Sequence, residues 1–70
     1  MIDYESLKKA VEEFGEVMVR TAANQVYELH RHNIEFIDRA KTIRIDGGTE
    51  THWVNADSIE SYWIHRKAKD

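Results

Sequence analysis

The spacing of apolar side chains changes once along this chain, and that change limits the folds it can adopt. From Tyr4 to about Ala40, the apolar pattern advances in steps of three and four residues, the period of a helix that buries one face. The positions that follow this period are Leu7, Val11, Phe14, Met18, Ala22, Val26, Leu29, Asn33 and Phe36. After residue 40 the period falls to two, as in a strand with one buried face. The sequence therefore predicts helix first and β-structure second.

Gly15 interrupts the helical pattern and leaves two interpretations open. A glycine inside a helix costs about 1 kcal/mol relative to alanine. Either one long helix runs from residue 4 to near 39, or the helix breaks between Gly15 and Thr21. In the second interpretation the Thr21 hydroxyl caps a new helix.

A double glycine marks a turn in the second half. Ile43 and Ile45 alternate with polar residues before Gly47 and Gly48, which adopt positive φ without a steric penalty. A second short stretch that includes Val54 follows the glycines. We predict a two-stranded antiparallel hairpin with strands near 42–46 and 51–54.

A last helix is predicted over about 57–67, with Asn55 or Asp57 as its cap. The fold class is therefore α+β, with an N-terminal helix or helices over about 4–39, a two-stranded antiparallel hairpin over about 42–54 and this C-terminal helix. Residues 1–70 form a single small domain. The residues that we expect to be largely buried are Phe14, Leu29, Phe36, Ile45, Val54, Ile59 and Trp63.

Composition excludes several classes of protein. The chain has no cysteine, so neither a disulfide framework nor a thiolate metal site can form. Its apolar runs are far shorter than the roughly 20 residues of a membrane span. Because 41% of its residues are hydrophobic, it is too rich in core formers to be disordered. We expect a cytoplasmic domain without a membrane segment.

Charge is unevenly distributed. The net charge of −3 argues against nucleic-acid binding. However, residues 1–18 hold two lysines against five acidic side chains, whereas residues 19–45 hold five basic side chains against three acidic ones. The middle of the chain is therefore mildly basic.

Four histidines raise the question of a metal site: His30, His32, His52 and His65. On a helix, the side chains of His30 and His32 would point about 200° apart, which is a poor geometry for chelation. On a strand, they would share one side. Since the helical period covers this segment, we predict no bound metal and no cofactor.

Catalytic motifs are missing from the sequence. Its serines lack the glycine-rich elbow of a hydrolase nucleophile. Gly47 and Gly48 are not followed by the lysine of a phosphate-binding loop. We expect that the protein is not an enzyme.

The order of the predicted elements carries a family resemblance. From Val19 onward the chain has a double alanine at Ala22 and Ala23, a helical pattern that ends in Ala40 and Lys41, the hairpin, and then a closing helix. The apolar positions of this pattern are Val26, Ile34, Ile37, Trp53, Val54, Ile59 and Tyr62. This pattern resembles small phage excisionases and mercury-resistance regulators over about residues 19–66.

The resemblance implies a winged helix-turn-helix protein that binds double-stranded DNA. Its recognition helix would span about 30–39, and the hairpin would be the wing. Asparagine and arginine can read adenine and guanine edges in the major groove, while basic side chains on the wing and closing helix would hold phosphates. The candidate DNA-binding residues are Arg31, His32, Asn33, Arg39, Lys41, Arg44, Arg66 and Lys67.

An alternative function fits the acidic charge better. A continuous long helix would make this a phage- or plasmid-type interaction module that docks on a larger protein partner and inhibits or recruits it. The same apolar stripe could pair with a second copy to form a homodimer. Gly15 separates the two hypotheses, because a break there favours the winged module.

Overall fold

The protein is described by a computed structural model that covers residues 2–64. The helix and strands are α1 (Tyr4–Phe14), β1 (Glu16–Thr21), β2 (Val26–His30), β3 (Ile34–Ile37), β4 (Thr42–Asp46), β5 (Thr51–Asn55) and β6 (Ile59–Trp63). Two single-turn 3-10 helices, Asp38–Ala40 and Ala56–Ser58, precede β4 and β6. The strands form two three-stranded antiparallel sheets, with orders β2-β1-β6 and β3-β4-β5.

Helix α1 is short because both of its ends are capped. The Asp3 carboxylate accepts hydrogen bonds from the backbone N–H and the hydroxyl of Ser6, at 3.1 and 2.8 Å. Gly15 ends the helix with a φ of 80°, and its N–H donates to the carbonyl of Val11 at 2.8 Å. This left-handed conformation is the usual role of a glycine after the last helical turn. Leu7 and Val11 are buried on the inner side of the helix.

The prediction of helix up to residue 39 is wrong. The break at Gly15 is real, but strands β1, β2 and β3 follow it rather than a second helix. Residues 16–21 contain a second pattern, in which Val17, Val19 and Thr21 alternate and are all buried. Val26, which the helical period placed inside, is 52% exposed. This β-branched alternation, and not the helical period, matches the structure, because β1 is hydrogen-bonded to a strand on each side.

The second half is only partly as predicted. Strands β4 and β5 confirm the predicted strand positions, with the double glycine in the turn between them. They do not form an isolated two-stranded hairpin, because β3 pairs with β4 and makes the sheet three-stranded. Gly48 adopts a φ of 87° in this turn.

The predicted C-terminal helix is wrong where the structure describes it. Asn55 does cap a helical turn, since its side chain accepts from the N–H of Asp57 at 3.0 Å. That turn ends at Ser58, and strand β6 follows because β1 offers it a hydrogen-bonding edge. Residues 65–67 of the predicted helix lie outside the described residues.

The core is one apolar cluster shared by the helix and both sheets. Its members are Leu7, Val11, Val17, Val19, Leu29, Ile43, Ile45, Val54 and Ile59. Burial is confirmed for four predicted core residues: Leu29, Ile45, Val54 and Ile59. Phe36 is half-buried against this cluster. The prediction is wrong for Phe14 and Trp63, which are 48% and 41% exposed, because one ends the helix and the other lies on the outer side of β6.

A polar contact ties α1 to the 3-10 helix that joins β3 to β4. The Tyr4 hydroxyl donates to the Asp38 carboxylate at 2.6 Å, and the Lys8 ammonium donates to both of its oxygens at 3.0 Å. These two donors hold the pKa of Asp38 below its usual range. Burial of the Tyr4 ring, together with its hydrogen bond to Asp38, raises the pKa of the phenol. The contact therefore favours an ionised Asp38 beside a neutral Tyr4.

Truncation of Ile59 should show that strand β6 closes the shared core. We expect Ile59→Ala to lower the free energy of unfolding by about 2–5 kcal/mol, because it leaves a cavity where no solvent reaches. Val26→Ala, at an exposed strand position, is the control and should cost less than about 0.5 kcal/mol. Urea unfolding measures both values. A loss at Ile59 as small as that at Val26 would show that β6 does not close the core.

The Asp38 contact should make stability depend on acid pH. A carboxyl whose folded-state pKa is depressed stabilises the fold above its ordinary pKa of 3.8, and this contribution is lost as pH falls through the folded-state value. Asp38→Asn should therefore be less stable than wild type at neutral pH and should converge with it in acid. Urea unfolding between about pH 7 and pH 2 measures the difference. An equal difference at every pH would mean that the carboxylate charge contributes nothing.

Candidate functional site

The predicted DNA-binding residues do not lie on one helix. The predicted recognition helix is instead the turn after β2, strand β3 and the 3-10 helix Asp38–Ala40. Arg31 and His32 are exposed in the turn. Arg39 and Lys41 lie within and just after the 3-10 helix, and the Lys41 ammonium sits 5.0 Å above the centre of the Tyr4 ring.

Two further candidates are engaged in contacts within the chain. Asn33 accepts from the His30 N–H at 3.0 Å and donates to the carbonyl of Asp46 at 3.4 Å, so its amide closes a turn. Arg44 lies on the outer face of β4 and forms ion pairs with Glu35 and Asp46 at 3.2 and 3.5 Å. Neither presents an unengaged side chain to a groove.

The last two candidates, Arg66 and Lys67, lie outside the described residues. Over residues 2–64 the fold is mostly β with one α-helix, so the winged helix-turn-helix expected from the resemblance is wrong. DNA binding itself stays a prediction that no observation tests.

Strand β5 is one of the two edge strands of the second sheet, the other being β3. Two hydrogen bonds set the ladder between β4 and β5: Gly47 N–H to the Glu50 carbonyl, and Ala56 N–H to the Lys41 carbonyl. Because antiparallel pairs alternate between hydrogen-bonded and non-hydrogen-bonded, the pairs at 45/52 and 43/54 also bond inward. The N–H and C=O groups of Thr51 and Trp53 therefore point away from β4. Within residues 2–64, no strand pairs with this side of β5.

Trp53 is the most exposed large apolar side chain among the described residues, at 63%. Val54 and His52 face inward beside it, so alternation forces the indole outward. Its cross-strand neighbour on β4 is Arg44. Sequence analysis could have found this position, since Val54 was expected inside and adjacent strand residues face opposite sides.

A shallow cleft of about 190 Å³ lies between β5 and the turn that joins β1 to β2. Its lining residues are Thr21, Ala23, Gln25, Tyr27, Trp53, Val54, Asn55 and Ser58. Tyr27 also approaches His52, with 5.3 Å between the two ring centres. The cleft combines aromatic walls with amide and hydroxyl groups, which suits one apolar side chain flanked by a polar backbone.

Acidic side chains surround the edge of β5. Glu50 and Asp57 are exposed at its two ends, and the Glu50 carboxylate lies 3.0 Å from His52 Nε2. Asp46 lies opposite Thr51 on the neighbouring strand and shares Arg44 with Glu35. The described surface around this edge therefore favours a partner with positive charge.

A second group of polar residues lies on the outer face of the first sheet. Glu16, Glu28 and His30 each offer one ligand atom, and these atoms all lie within 4.8 Å of one another. No metal was predicted because His30 and His32 would point apart on a helix. That reason is wrong, because His30 is on a strand and the ring centres of His30 and His32 are 5.4 Å apart. The prediction of no bound metal is itself untested by this observation.

Hydrogen bonding gives no sign of a nucleophile and base. Within the described range, His30 Nε2 lies 3.5 Å from the Glu28 carboxylate and His52 Nε2 lies 3.0 Å from the Glu50 carboxylate. None of the side-chain hydrogen bonds in that range joins a hydroxyl group to an imidazole. The expectation that the protein is not an enzyme stays a prediction.

The chain matches no protein-family model, no curated protein and no solved structure. Over residues 2–64, no helix is long and apolar enough to span a bilayer.

Proposed function

We propose that this domain is a protein-interaction module that binds an extended segment of a partner protein as an added strand on the open edge of β5. The observation that carries the proposal is the combination of unpaired, outward-facing backbone groups at Thr51 and Trp53 with the exposed indole of Trp53. The long helix through which an interaction module was expected to dock is absent from residues 2–64, where the one α-helix has 11 residues. The interaction surface proposed here is therefore a strand edge.

Strand addition uses the backbone for affinity and side-chain pockets for specificity. On β5, Thr51 and Trp53 supply two N–H donors and two carbonyl acceptors in the spacing of an antiparallel ladder. The carbonyl of Asn55 already accepts from the Ser58 hydroxyl at 2.7 Å, which sets the end of the bound segment. A partner strand of three to five residues fits between these limits.

The β5 edge lacks the usual protections against strand addition. Proteins guard exposed edges with lysine, proline, inward charges or bulges. The five residues of β5 include neither lysine nor proline, and their register with β4 is regular. Strand β6, by contrast, carries Glu60 and pairs with β1 through a register shift at Arg20 and Thr21. The contrast supports β5 as the docking edge.

The chemistry around β5 defines the partner segment. The cleft beside Trp53 accepts one apolar side chain, and the exposed carboxylates of Glu50 and Asp57 favour basic residues at the two ends of the segment. Indole rings are frequent anchors at protein interfaces because they bury a large area at a small entropic cost. We therefore infer a partner with an extended, basic-flanked, apolar-centred sequence.

A selection from displayed random peptides of about ten residues tests the proposal. Recovered peptides should alternate apolar and polar residues between basic ends. Their affinity should fall by about tenfold or more in Trp53→Ala, as expected for an aromatic anchor. Thr51→Pro should have a similar effect, because it removes an outward N–H that β4 does not use. Isothermal titration calorimetry measures the affinities.

Trp63→Ala is the matched control, because it removes the same kind of partly exposed indole from β6, an edge strand of the first sheet. It should leave peptide affinity within about twofold. Peptides that bind all three variants equally, or a selection that recovers no peptide dependent on Trp53, would contradict the proposal. A salt-dependent shift assay on duplex DNA runs beside it and measures DNA binding directly.

The oligomeric state separates a foreign partner from a second copy of this chain. If the β5 edge receives a foreign segment, light scattering should find a monomer at micromolar concentration. An oligomer that Trp53→Ala disrupts would place a second copy on this edge and contradict the proposal.

A further inference from the structure

The outer face of the first sheet brings three metal-binding side chains to one point. Glu16 begins β1 and His30 ends β2, and the two residues are directly opposite in the antiparallel register. Glu28 precedes His30 by two residues, so alternation places it on the same face. The opposite face of these strands carries Val17 and Leu29 in the core. Strand alternation and the antiparallel register therefore place all three polar side chains on the outer face of the sheet.

Their distances fit a small cation with mixed ligands. Zinc binds imidazole nitrogen and carboxylate oxygen at about 2.1 Å, so two ligand atoms in a tetrahedral site are about 3.4 Å apart. His30 Nε2 and Glu28 Oε1 are 3.5 Å apart. The ligand atoms of all three residues lie within 4.8 Å of one another, so the longest separation must close by at most about 1.4 Å, which side-chain rotation supplies.

A second imidazole, that of His32, lies beside this group of three. The ring centres of His30 and His32 are 5.4 Å apart, and His32 is exposed in the turn after β2. A cavity of about 480 Å³ lined by Gly15, Arg31 and His32 gives the imidazole room to turn. Two carboxylates and two imidazoles complete a tetrahedral set without any thiolate.

We propose that Glu16, Glu28 and His30 form a binding site for a divalent transition-metal ion, with Zn²⁺ the best fit and His32 as its fourth ligand. Imidazole nitrogen selects zinc-like ions over magnesium and calcium, which prefer shells made of oxygen. The two carboxylates balance the charge of the ion, and the Arg31 side chain in the adjoining cavity opposes it. A bound ion joins β1 to β2 across their register and stabilises the folded state by mass action.

Calorimetric titration of the untagged full chain with Zn²⁺ tests the site. We expect one ion per chain and a rise in the melting temperature. Glu16→Gln and His30→Gln should each weaken the affinity by more than about tenfold, since even changes outside the ligand shell of zinc sites reach this size. His32→Gln should weaken it less, and Arg31→Gln should strengthen it because it removes a neighbouring positive charge.

His52→Gln is the matched control. His52 also pairs with one carboxylate, Glu50 at 3.0 Å, but lies on the other sheet outside this group, so Zn²⁺ affinity should not change. Circular dichroism without metal checks that each variant folds, and the His30 ring resonances should shift when Zn²⁺ is added to the wild type. Binding weaker than about 100 μM, or equal affinity in wild type, Glu16→Gln and His30→Gln, would overturn the proposal.

Discussion

Strand β1 is the element on which the rest of the structure depends, because it alone joins the helix to both outer strands of the first sheet. It is hydrogen-bonded to β2 on one side and to β6 on the other. Its inward side chains, Val17 and Val19, are fully buried and contribute to the shared apolar cluster. Gly15 makes this arrangement possible, since its left-handed backbone ends α1 one residue before β1 begins.

The candidate sites follow from the same alternation that builds the core. When Val54 faces inward on β5, Trp53 must face outward, next to backbone groups that have no strand partner among the described residues. When Leu29 faces inward on β2, Glu28 and His30 must face outward, where Glu16 meets them from β1. Each proposed site is therefore on the outer side of a strand whose inner side contributes to the core.

The two proposed sites lie on different sheets and use different chemistry. The edge of β5 offers hydrogen-bonding backbone, an indole and acidic neighbours, which suit an extended peptide with basic ends. The group at Glu16 and His30 offers ligand atoms for a cation. Because neither site uses the side chains of the other, a variant at Trp53 and a variant at His30 report on separate functions.

The sequence by itself determined the strands around the double glycine and the burial of Leu29, Ile45, Val54 and Ile59, whereas it left open whether the helix breaks at Gly15. Those features depend on local geometry: a residue that tolerates positive φ, or an alternation that no competing period obscures. Residues 16–21 fit a helical period and a strand period at once, and pairing of β1 with β2 and with β6 decided between them. Pairing of β6 with β1 placed Trp63 on the outer face, and pairing of β3 with β4 replaced the predicted recognition helix with a turn and a strand. The antiparallel pairing of β1 with β2 put His30 opposite Glu16, because strand pairing, not the residues next to each side chain, sets which side chains meet across a sheet.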